Sequence, residues 1–173
     1  MTSSRQLAVF LGALAVAGAG FAADAGLAKA DQKFMQDAAA GGMFEVEAGK
    51  LAQSKGQSDG VKAFGGMLEK DHSAANDELK ALAGKKGVTL PTALPKDMQK
   101  QLDKLGKAKD FDKEFVKDVG LKDHKKDISK FEKASKSAKD ADVKAFAAKT
   151  LPTLQHHHQE AETLEKAMKS AKK

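Results

Sequence analysis

The 173-residue chain has no cysteine, no tryptophan and no tyrosine, and only three prolines. Without cysteine it forms no disulfide, offers no thiol nucleophile and takes no lipid on sulfur, so the fold must hold by packing alone. Arginine is nearly missing too: Arg5 is the single one, and every other basic side chain is lysine. The formal charge of +6 therefore lacks the bidentate donor that reads phosphates and bases, and no aromatic platform accompanies it. Nucleic acid is not an expected partner, because lysines interleaved with Asp and Glu at helical spacing describe a solvated face. G-x-S-x-G, P-loop and dinucleotide fingerprints are absent. No enzyme class is indicated.

Long hydrophobic runs are also scarce. The single one, Leu7 to Ala19, follows Arg5 and precedes small residues at Gly20-Phe21-Ala22 and Ala23-Asp24-Ala25. This is the layout of an export signal spanning residues 1–22, with cleavage alternatively after 25, and the run is too short for the roughly 20 residues a bilayer crossing needs. A periplasmic protein with no stable membrane insertion after cleavage is expected; an uncleaved N-terminal anchor is the alternative. About 150 residues would remain, which suits one domain with one core.

Alanine, lysine, leucine and glutamate dominate that remainder and favour helices. Asp31 is expected to cap a helix running to about Lys55, with Phe34, Ala38, Gly41, Glu45, Ala48 and Ala52 on its inner stripe. Ser58 or Asp59 opens a second, with Val61, Phe64, Leu68, His72, Ala75, Leu79 and Leu82 inward until Gly84 and Gly87. The stretch from Gly87 to Asp110, broken by Pro91, Pro95 and Gly106, is expected to hold a short helix near Lys96 to Leu105. Asp110 and Asp140 cap two more, carrying Phe111, Phe115, Val119, Leu121, His124, Ile128 and Phe131, then Val143, Phe146, Ala147, Leu151, Leu154, Ala161, Leu164 and Met168; Pro152 is expected to bend the last. Residues 31–170 thus read as an all-α four-helix bundle, two hairpins joined by a long connection. Gly41, Gly42, Gly65 and Gly66 are expected to allow close helix approach.

Polar residues interrupt these stripes. In the run His156-His157-His158, neighbours are about 100° apart on a helix, so they cannot share a face. His157 falls nearest the stripe, His158 lies farther to its other side, and His156 points outward. His72, His124 and Glu45 lie in line with apolar residues, and a buried unpaired carboxylate costs several kcal/mol unless a cation or donor meets it. From a turn near Gln57, Glu45 is 12 residues back and His72 is 15 on; from a turn near Lys139, His124 is 15 back and His157 is 18 on. At 1.5 Å per residue those offsets are about 4 to 5 Å, so each hairpin brings a matched pair to mid-bundle.

One carboxylate and three imidazoles from four helices form a ligand set for one transition metal ion, Zn, Fe or Cu, with Glu69 and His158 as additional candidates. A di-iron centre would need a second E-x-x-H pair, which neither His124 nor His157 supplies. The alternative is a metal-free Glu-His network that fixes helix register in a structural or stress interaction protein. Asp71 and Asp123, each preceding an inward histidine, either orient a ligand on a neighbouring helix or stand as surface charges, the plainer of the two readings.

The segments "KFMQDAAAGGMFEVEAGKLA", "VKAFGGMLEKDHSAANDELKALAGKKGVTLP", "FDKEFVKDVGLKDHKKDISKFEKA" and "VKAFAAKTLPTLQHHHQEAE" cover nearly all of the mature chain. Together they resemble the bacterial domain-of-unknown-function family numbered 4142, whose members are mostly exported and similar to ferritin-like four-helix bundles. The resemblance places the family's characteristic positions on Glu45, Asp71-His72, Phe111-Asp112, His124 and the "LPTLQHH" segment ending at His157. It implies a ferritin-like fold with room for a metal centre, and no reaction. The expectation is an exported ferritin-like protein of unassigned activity that binds one metal ion, as a buffer or an envelope stress factor.

Overall fold

A computed structural model describes residues 26–171. The segment expected to be an export signal lies outside them. The helices are α1 (Lys29–Lys55), α2 (Asp59–Lys86), α3 (Lys96–Gly106), α4 (Phe111–Glu114), a π-helical stretch (Phe115–Asp123), α5 (His124–Ser137) and α6 (Ala141–Ser170). From α4 to α5 the winding is continuous, so this is one long helix with a π-wound middle. The expected hairpins form: α1 packs on α2, and the π stretch and α5 pack on α6. The α2–α6 and α1–α5 contacts close the bundle, while α3 lies against α1. No helix among the described residues is long and apolar enough to cross a membrane.

Most helix ends follow from the sequence. Ser58 accepts from the Val61 N–H, Asp110 from Lys113, and Asp140 from both Asp142 and Val143, each satisfying first-turn donors that have no helical partner. α2 runs past Gly84 and stops at Gly87, whose φ of 65° is left-handed and favours glycine. Pro152 sits within an unbroken α6.

Asp31 corrects its expected role. α1 begins three residues earlier than a cap at Asp31 would place it, at Lys29, and the buried Asp31 carboxylate instead accepts from the backbone N–H groups of Lys139 and Asp140, 2.9 and 2.8 Å away in the α5–α6 turn. At the opposite end Asp112 does the same for the α1–α2 turn, accepting from Gln57 and Ser58 at 2.9 Å each. Each hairpin thus clamps the turn of the other, which fixes their relative height.

The inner stripe of α1 is also shifted at its start, where Met35 and Ala39 are buried and Phe34 and Ala38 only partly so. The close approach of α1 and α2 uses Gly49 with Gly65: a Cβ on Gly49 would stand 2.5 Å from the Gly65 carbonyl oxygen. Gly41 and Gly66 lie in ordinary contact only, and Gly49 takes the place expected for them. A Cβ on Gly120 would lie 2.7 Å from that of Ala161, so the π stretch meets α6 just as tightly.

Two apolar clusters fill the bundle. One holds Phe44, Phe64, Leu68, Phe115, Val119 and Ala161; the other holds Met35, Leu79, Phe131, Val143, Phe146 and Leu154. Burying each of the larger side chains among them contributes about 1.5–3 kcal/mol. The layer between them is polar.

Candidate metal centre

Along every long helix that layer falls where the stripe passes from one apolar cluster to the other. His72 comes four residues after Leu68, and His157 lies between Leu154 and Ala161, spacings that keep α-helical residues on one face. His124 follows Val119 by five, which α winding would carry about 140° round. The wider π turn brings that fifth residue back toward the same side, so the irregular winding aims His124 inward.

Glu45, His72, His124 and His157 converge and are at most 5% exposed. The three imidazole centroids form a near-equilateral triangle with sides of 5.2, 5.3 and 5.6 Å. One nitrogen of each ring lies within 4.8 Å of one from each of the other two. Phe64 stands 6.4 Å from both His124 and His157 and covers that side with hydrocarbon.

The opposite edges of the rings are anchored. His124 Nδ1 is 2.9 Å from the Val119 carbonyl oxygen, which can only accept, so Nδ1 carries the hydrogen and Nε2 a lone pair. His157 Nε2 is 3.0 Å from Asp71 Oδ2, and His72 Nδ1 is 3.0 Å from Glu45 Oε2. Donation to these carboxylates leaves lone pairs on His157 Nδ1 and His72 Nε2. His124 Nε2 and His157 Nδ1 are 3.2 Å apart. His72 Nε2 and Glu45 Oε1 are buried without a hydrogen-bond partner.

Burial holds all three imidazoles below the usual histidine range. His124 is lowered to about 4 against the opposing bond to Val119; His72 is lowered well below by burial and by its two histidine neighbours; His157 is lowered by burial against the pull of Asp71. At neutral pH the rings are uncharged, the form that binds metal. Burial pushes the Glu45 carboxyl well above its usual range, and Asp127 and Asp123 push it further. A cation in the layer would relieve that cost.

The four residues on the stripes come together, in two roles. The imidazoles face each other, and Glu45 stands behind them, on His72 and 3.3 Å from His124 Nδ1. The two additional candidates lie elsewhere: Glu69 accepts from Gln53 at 2.6 Å, and His158 faces Glu162 at 3.5 Å. His156 is exposed. Of the two aspartates preceding histidines, Asp123 pairs with Gln101 and Lys126 at the surface, while Asp71 orients His157, against the plainer reading.

Sequence reasoning missed Asp127. It lies three residues after His124 and faces Gly41 across ordinary van der Waals contact. With Glu45, His72, Gly42, Asn76 and Thr150 it lines a cavity of about 20 Å3, the size of one water or ion.

The chain is similar to the solved structure described as "Crystal structure of DUF305 fragment from Deinococcus radiodurans", at 10% identity and a TM-score of 0.70, covering 82% of this chain and 99% of that one. At that identity the likeness carries the fold alone. No curated protein matches the chain. Residues 16–164 match the family described as "Domain of unknown function (DUF4142)", and the chain belongs to that family.

Proposed function

We propose that this protein holds one first-row transition metal ion, Zn, Fe or Cu, through His72, His124 and His157, with Glu45 and Asp71 orienting the rings from behind. The observation that carries the reading is the triangle of three buried imidazoles, with a nitrogen of each within 4.8 Å of the others and the opposite nitrogen of each held at an oxygen. Carboxylates or carbonyls behind ligating histidines are the usual support of such sites. Two nitrogens on one ion at about 2.0–2.1 Å in tetrahedral geometry lie about 3.3 Å apart, close to the His124–His157 separation of 3.2 Å. The N-terminal charge and hydropathy pattern supports export to the periplasm, where such a site would serve metal buffering or envelope stress.

Elemental analysis of protein isolated from the periplasm without a histidine tag tests the reading. It predicts one equivalent of metal, present on isolation or restored by adding Zn, Fe or Cu. Metal well below one equivalent that none of these restores would contradict it.

A metal-free network is the second reading, favoured by the continuous line Val119–His124–His157–Asp71. It needs a proton between His124 and His157, which burial opposes, and it leaves His72 Nε2 and Glu45 Oε1 without partners. A melting temperature indifferent to chelator and to added metal would favour it.

A further inference from the structure

All four residues of the cluster are buried, and Glu45 and His124 do not reach the α2–α6 surface. Between α2 and α6, however, a cleft of about 280 Å3 carries His72 and His157 in its wall. Asp71, about one-third exposed at its side chain, stands in the same wall with Oδ2 on the buried His157. Glu78 of α2 and Lys149 of α6 also line the cleft, and they join across it in a 2.7 Å ion pair with both side chains exposed.

Resting on the metal reading above, we propose that the α2–α6 cleft is the route by which a divalent cation reaches and leaves the histidine cluster. Asp71 is the carboxylate it meets on the way, and Lys149 is the charge that slows its passage. The chemistry follows from position. A cation approaching His157 from this side passes the Asp71 carboxylate, which draws it toward the ring; the nitrogen that would take it is Nδ1, turned toward His124, because Nε2 is held by Asp71. Lys149 repels it at the mouth, and Glu78 partly cancels that repulsion. An exposed pair of this kind adds little stability. Its field acts on the rate at which a charged ligand arrives, and that action fades with salt.

The test follows cobalt(II) loading of the full chain by stopped-flow visible absorbance, with Co2+ affinity measured at equilibrium. Lys149→Glu is expected to load about three- to tenfold faster at low ionic strength, an advantage that shrinks in high salt, while its affinity changes by less than its rate. Glu78→Gln is expected to load more slowly. Lys33→Glu makes the same change of net charge at an exposed site paired with Asp37, outside the cleft, and is expected to load at the parent rate. Equal rates for Lys149→Glu and Lys33→Glu, with normal cobalt spectra, overturn the route alone. No cobalt signal from the parent protein overturns the route, and if zinc, iron and copper also fail to bind it overturns the metal reading with it.

Discussion

His124 Nε2 and His157 Nδ1 face each other across 3.2 Å, while the far nitrogen of each ring is tied, one to the Val119 carbonyl and the other to Asp71. Two neutral rings anchored in that way present lone pair to lone pair, an arrangement that a shared cation stabilises and an empty gap does not.

Asp71→Asn tests the anchor. The amide oxygen can still accept from His157, so the fold should hold, but the charge behind the ring is lost. Metal affinity is expected to fall about 10- to 100-fold, with the melting temperature of the metal-free protein close to that of the parent. Isothermal titration and thermal melts of the same samples read both quantities, and unchanged affinity would remove Asp71 from the site.

His124→Leu separates metal binding from packing. In the parent, metal at a hundredfold excess over Kd stabilises by about 2.7 kcal/mol, or roughly 5–10 °C for a chain of this size. In the variant that increment should vanish, while the metal-free melting temperature changes by less, since leucine fills similar volume without a buried polar group. A melting series with and without zinc gives the answer.

Metal-free protein should lose stability on acidification. The three imidazoles are held below their ordinary range of about 6.5. Between that value and the lower folded ones the unfolded chain binds more protons. Their contribution is complete above pH 6.5 and is lost as pH falls from there toward 4. Glu45 and Asp127, both raised in the fold by burial, act in the opposite direction above their ordinary range, but as two groups against three. Urea midpoints from pH 7.5 to 4.5 are therefore expected to fall with pH, and His124→Leu should flatten the slope. A midpoint constant across that range would contradict the neutral, buried rings.

The reciprocal clamps at the hairpin turns should cost stability unequally. Asp31 is 3% exposed, and Asp31→Ala strands two backbone donors beside it, at about 1–3 kcal/mol each. Asp112 serves a turn open to water, so Asp112→Ala should cost less. The two lie at opposite ends, and the double variant should be additive within about 0.5 kcal/mol. Denaturant unfolding of the three variants measures this.

The features legible in the sequence were those fixed by periodicity and by local capping. Ser58, Asp110 and Asp140 act on donors two or three residues away, so their roles can be read from neighbours alone. Equal distances from the turns likewise gave the level of Glu45, His72, His124 and His157, because an antiparallel hairpin ties height to residue count. Asp31 and Asp112 were out of reach for the opposite reason: their partners are more than 50 residues distant. Asp71 was ambiguous because a residue beside an inward histidine lies on the flank of its helix, and only the position of α6 decides whether that flank meets water or His157. The π winding before His124 has no simple composition signal; it accompanies the close fit of Gly120 against Ala161 and the ring bond to Val119, both contacts that sequence spacing does not show. Glu45 was placed correctly among the histidines, yet its position behind the rings depends on side-chain direction, which residue spacing does not carry.

X-ray absorption at the zinc edge of the loaded full-length protein tests the central claim most directly. The account predicts one zinc with three imidazole nitrogens at about 2.0–2.1 Å, and loss of one imidazole shell or of the metal itself in His124→Leu. Zinc surrounded by carboxylate and water oxygens without imidazole scattering, or an unchanged spectrum in that variant, would contradict it.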